Sequence, residues 1–132
     1  MNEELSSVDL RSARIELRPD GVLHIDIKLD QVFEIEDSIA IIEARTKLVN
    51  GKRTPIVYTC TEFVIPSKEV REFVASEKRS ELVIADAFVV NSLPQKLVAN
   101  LFIKINKPVR PTKVFSNFDE ACEWAKTFIP ML

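Results

Sequence analysis

Residues 13–29, ARIELRPDGVLHIDIKL, leave the chain little structural choice. Ile15 and Leu17 alternate with polar neighbours before a break, and Leu23, Ile25, Ile27 and Leu29 do so after it, the period of two that a strand offers to a core. Pro19-Asp20-Gly21 separates the runs, proline presetting φ for a turn and glycine admitting positive φ. The segment is predicted to be a β-hairpin with His24, Asp26 and Lys28 on the face opposite Ile25 and Ile27.

The period then changes. In EIEDSIAIIEARTKLVNG, residues 34–51, Ile35, Ile39, Ile42 and Val49 recur at helical spacing and Ala40, Ala44 and Leu48 widen the stripe. Glu34, Glu36 and Asp37 suit the positive end of the helix dipole, and Asn50-Gly51 supply a left-handed stop. TPIVYTC reads as a buried strand, and a second helix starts at about Ser67, an N-cap, with Val70, Phe73 and Val74 inward. The next strand is expected over 85–90. Asn91-Ser92-Leu93-Pro94 opens a third helix, Gln95 to about Asn106, with Lys96, Asn100 and Lys104 on a narrow polar stripe and the rest buried or in an interface.

Asn106-Lys107-Pro108 ends that helix, because the residue before a proline is pushed out of the helical region, and Pro111 precedes a last strand over 112–115. These two prolines read as a hinge rather than a polyproline ligand, since both flanking elements need the core. SNFDEACEWAKTF closes the chain as a helix, Asn117 and Glu120 at capping-box spacing and Phe118, Ala121, Cys122, Ala125 and Phe128 on its buried stripe. Residues 1–11 are polar and aperiodic and are expected to form a flexible arm before a single domain over 12–132. The order β-β-α-β-α-β-α-β-α predicts an α/β fold with a mostly parallel central sheet, an N-terminal hairpin and about four helices.

Neither end of the charge scale is occupied. Eighteen basic against twenty acidic residues leave a net charge of −2, so nucleic acid is not an expected partner. Nothing approaches the ~20 apolar residues of a membrane span, and no secretory signal opens the chain, so a cytoplasmic protein is expected. Cys60 and Cys122 are far apart and lack metal-ligand spacing, so neither a zinc site nor a disulfide framework is expected. His24 is the single histidine, Gly21 and Gly51 are both explained by turns, and no nucleophile-elbow sequence is present. The expectation is a protein without cofactor, metal or catalytic residues.

The stretch from Ala85 to Trp124 carries a resemblance. Ala85 and Ala87, Asn91-Ser92, Asn100 and Phe102, Asn106-Lys107-Pro108 with Pro111-Thr112, and Ala121 with Trp124 resemble a group of small bacterial proteins of the SpoIIAA-like fold, grouped with STAS and Sec14-type domains. The resemblance implies a SpoIIAA-like domain acting as a non-enzymatic regulatory or protein-interaction module, alone or as a homodimer. The alternative it implies is a small-molecule or lipid-binding domain of the Sec14-like type. STAS anti-sigma-factor antagonists are switched by phosphorylation of a serine at the start of the helix after the third strand. Ser67 is the counterpart, in Pro66-Ser67-Lys68-Glu69 where those proteins carry an Asp-Ser-Ser-Gly-type turn, and it reads as an N-cap or a phosphoswitch.

Two further sites are candidates. Ligands of such sheets favour the crevice beyond the carboxyl ends of the strands, where Thr59, Thr61, Asn91, Ser92, Ser116 and Asn117 could ring a polar pocket floored by Phe63 or Phe88. Leu101 and Phe102 on the third helix could line an apolar cavity or a dimer face.

Overall fold

The computed structural model describes residues 6–28, 35–60, 67–76 and 82–129. The chain runs β1 (Ser7–Asp9), β2 (Ala13–Leu17), β3 (Leu23–Ile27), α1 (Ile35–Val49), β4 (Thr54–Cys60), α2 (Lys68–Ala75), β5 (Val83–Val89), α3 (Leu93–Asn106), β6 (Thr112–Phe115) and α4 (Phe118–Lys126). The strands form one six-stranded sheet in the order β1-β2-β3-β4-β5-β6. β1, β2 and β3 are antiparallel, and β3 to β6 run parallel. The α/β class, the hairpin and the mostly parallel sheet follow the sequence reading.

The predicted arm is corrected in part. Ser7–Asp9 pair with β2 as an edge strand, Val8 opposite Ile15, because the outer edge of the hairpin offers unpaired N–H and C=O groups. Asp9 receives Arg14 and Lys28, each at 3.0 Å, which pins this short strand. Residues 1–5 lie outside the described residues. The turn between β2 and β3 is as expected: the Asp20 carboxylate accepts from the Val22 N–H at 3.0 Å, and Gly21 has φ of 90°. A Cβ at Gly21 would also stand 3.0 Å from the tip of the Ile129 side chain, which would have to shift slightly, so it is the positive φ that calls for glycine.

The unbroken strand order decides where the helices go. Right-handed crossovers that always step to the next strand place every connecting helix on one face. α1 and α2 cover a cluster of Ile15, Leu23, Ile25, Ile41, Ile56 and Val70. α3 continues that layer through Phe102, which meets Phe88 edge-on at 5.7 Å. α4 alone returns to the other face, where Ala121, Cys122 and Ala125 close on Val22, Val57 and Ala87.

Two elements differ from the periodicity reading. β5 begins at Val83 because that residue pairs with Thr54. In α1 the buried row is Asp37, Ser38, Ile41, Arg45 and Val49, while Ile39 is 45% exposed. An apolar-stripe reading cannot see this phase, since two of the inward positions are charged; Asp37 is held by Arg11 at 2.7 Å.

The proline segment is anchored between its neighbours by specific contacts. Lys107 takes a left-handed φ of 48° to end α3, and the Val109 N–H then donates to the Ala75 carbonyl at 3.1 Å. The Arg110 guanidinium, buried, donates to the Val74 and Ser76 carbonyls at 3.2 Å each and lies 4.0 Å from the buried Asp86 carboxylate.

Candidate functional site

The sheet and the helices on its crowded face do not close on each other completely. Between β3–β5 and α1, α2 and α3 lies a cavity of about 210 Å³. The sheet contributes Ile27, Tyr58 and Phe88, in register side by side for the last two, with the Tyr58 and Phe88 rings stacked 5.2 Å apart. Ile41 and Ile42 come from α1, Val70, Phe73 and Val74 from α2, and Val98, Ala99 and Phe102 from α3. Two charged side chains line it, Arg45 and Arg71, and no described lining residue is acidic. Phe102 was a candidate on sequence; the arginines were not, and the i, i+4 spacing of Asp37, Ile41, Arg45 and Val49 is the signal that could have exposed Arg45.

Of the predicted polar ring, the described residues bring three together and engage two elsewhere, in a sheet whose strand order runs without a reversal. Asn91, Ser92 and Ser116 do share a shallow depression of about 380 Å³ with Leu93 and Lys96. Ser92 is there because it caps α3, accepting from the Gln95 N–H at 3.3 Å, while the Gln95 side chain accepts from the Asn91 N–H at 2.6 Å. Asn117 caps α4 through the Glu120 N–H at 2.9 Å. Thr61 and Phe63 lie outside the described residues, and Phe88 forms the wall of the apolar cavity instead. Ser67 is an N-cap of α2, its hydroxyl accepting from the Val70 N–H at 3.2 Å.

Thr59 belongs to a different arrangement. Its hydroxyl donates to Asp26 at 2.6 Å and sits 2.7 Å from His24 Nε2. With its one proton directed at Asp26, the hydroxyl accepts from Nε2–H, which selects that tautomer. In a nucleophile triad the imidazole stands between carboxylate and hydroxyl; here the hydroxyl stands between the other two, so this chain does not activate Thr59. His24 also packs on Phe118 at 4.8 Å, and burial holds its pKa below the ordinary imidazole value against the pull of Asp26 and Glu16. Cys122, under α4, has its thiol pushed up by burial. Among the described residues no group of three or more His, Cys, Asp or Glu side chains could hold a metal ion.

α3 carries a second feature on its outward side. Leu93, Leu97, Leu101 and Ile105, one per turn, are each more than half exposed, between 53% and 69%, and Val109 past the helix end is exposed as well. Leu101 and Phe102, paired on sequence, therefore part company: Leu101 faces water and Phe102 is buried against Phe88. None of the helices of the described residues is long and apolar enough to cross a membrane.

Among the described residues the fold is an α/β domain with an apolar cavity under its helical layer and an exposed apolar ridge on α3. The chain belongs to the family described as a domain of unknown function (DUF7793), which matches residues 15–129. A crystal structure at 2.20 Å of a protein with unknown function from Arthrobacter sp. FB24 is similar at 21% identity, covering 89% of this chain and 95% of that one, with a TM-score of 0.32. The search of curated proteins finds no match.

Proposed function

We propose that the protein is a non-enzymatic interaction module of the SpoIIAA-like, STAS type that docks a partner protein on the outer face of α3. The observation that carries this is the row Leu93, Leu97, Leu101 and Ile105, four large apolar side chains left in water by a fold that buries the other side of the same helix. A ridge of i, i+4 residues packs into the matching groove of another helix. α3 holds Lys96 and Lys104, ends on Lys107 and contains no acidic residue, so the partner helix is amphipathic with acidic flanks. A second copy in symmetric pairing would set these lysines against one another, which disfavours the homodimer. Ser67 works in this reading as a helix cap, and the docking face does not depend on its phosphorylation.

The test is titration of a fluorescent, designed acidic amphipathic helix, with its charge-reversed twin, against wild type and the Leu97→Glu and Leu101→Glu variants. Both substituted positions are exposed, so melting temperature stays unchanged. Binding of the acidic peptide alone, weakened about tenfold or more by either variant and by added salt, is the expected result. Light scattering that shows a stable wild-type dimer dissolved by Leu97→Glu would replace the partner with a second copy. Binding insensitive to both variants would remove α3 from the function.

A further inference from the structure

We infer that the half-open cavity beneath α1, α2 and α3 binds an uncharged apolar molecule of about eight non-hydrogen atoms, a short aliphatic chain or a substituted ring, with any polar end left in water at the opening. The size follows from volume: an apolar cavity of ~150 Å³ holds benzene, and at that filling about 210 Å³ takes roughly eight carbons. The class follows from the wall. Most of it is apolar, with Ile41, Val70, Val98 and the Tyr58, Phe88 and Phe102 rings upon it. Its polar members are already engaged. Arg45, 2% exposed, Arg71 and Cys60 have interactions of their own within the protein. The Thr59 hydroxyl lies between Asp26 and His24, and the Gln95 side-chain carbonyl accepts from the Asn91 N–H. Ser38 adds a single hydroxyl, and among the described residues no buried side-chain N or O atom lacks a hydrogen-bond partner. An ion entering here would give up its hydration to groups that already have partners, whereas an apolar body loses nothing on leaving water. It gains the dispersion contacts that open space denies the surrounding side chains.

This site and the docking face of α3 are independent, and one experiment separates them. Methyl spectra of the full chain are recorded during titration with butan-1-ol, hexan-1-ol and octan-1-ol, and with octanoate. Expected are saturable shifts at Ile41, Val70 and Val98, with none at Val22 and Val57, which lie under α4 across the sheet. Affinity should rise about fourfold for each added methylene, and octanoate should bind no more tightly than octan-1-ol. Ala99→Leu, which enlarges a lining side chain, should end that rise at hexan-1-ol while the Val22 and Val57 signals report that the fold persists. The wild-type series decides by itself if that variant does not fold. Octanoate binding about tenfold more tightly than octan-1-ol overturns the uncharged class. Equal affinity along the alcohol series overturns recognition by the apolar wall, and a folded Ala99→Leu that binds octan-1-ol as wild type does overturns the location. Absence of saturable shifts, or shifts confined to Leu97 and Leu101, overturns the site.

Discussion

His24 shows how a residue that looks like surface becomes half-buried once α4 crosses over it. Phe118 stands 4.8 Å from its ring, Arg14 and Glu16 face it from β2, Arg18 from the turn, and Asp26 and Thr59 share its side of the sheet. Its native pKa lies below the 6.5 of the unfolded chain, mainly through burial. Between those two values the unfolded chain binds a proton that the native state refuses. Stability is therefore complete above about pH 6.5 and falls as the pH drops beneath it, until the native imidazole also protonates. Urea midpoints compared at about pH 7.5 and pH 5.5 should fall for wild type, and His24→Gln should remove that decline while keeping a donor to Thr59. The Asp9 carboxylate, held down by its hydrogen bond to Lys28, contributes only around and below the ordinary carboxylate range, so it does not blur the test. The strand face of His24 was legible from alternation; its neighbours Thr59 and Phe118 were not, because one is a strand away and the other 94 positions along the chain by numbering.

Elements were placed well by local chemistry and oriented less well. Caps were readable: Ser67, Ser92 and Asn117 each accept from the amide three residues on. The phase of α1 was not, because Asp37 and Arg45 occupy its buried row, and charge at such a position is specified only by a distant partner such as Arg11. The proline segment shows both sides of this. Its prolines announce a hinge, whereas the role of Arg110 depends on α2 and β5 lying beside it. Arg110 serves the C-terminal carbonyls of α2, where positive charge suits the helix dipole, and the buried Asp86 of β5. Arg110→Met should lower the unfolding free energy by about 3 kcal/mol, since it takes the donors from two helix-end carbonyls and removes a cation 4.0 Å from the buried Asp86 carboxylate. Arg110→Lys should recover little of this in urea titration, because one ammonium cannot reproduce the fork that spans two carbonyls and a carboxylate.

At the scale of the molecule, α4 is the cover of one sheet face among the described residues, and Ala121 and Ala125 bring it close enough to bury Val22, Val57 and Ala87 completely. A chain ending at Ser116 should keep far-UV helical and strand signal yet bind the dye ANS and lose cooperative unfolding, the behaviour of a state with secondary structure but no specific packing. A truncated chain that unfolds cooperatively at the wild-type midpoint would show that α4 adds nothing. By itself the sequence determined the β-hairpin, the alternation of strands and helices, the helix caps and the parallel sheet, because period, turn geometry and capping act within a few residues. Tertiary structure alone decided the pairing of Ser7–Asp9 at the sheet edge, the one-directional strand order, the cavity beneath the helices and the exposure of the outer row of α3. Those depend on which face each crossover takes and on how tightly three helices can pack over one twisted sheet, and both are properties of surfaces brought together from distant parts of the chain.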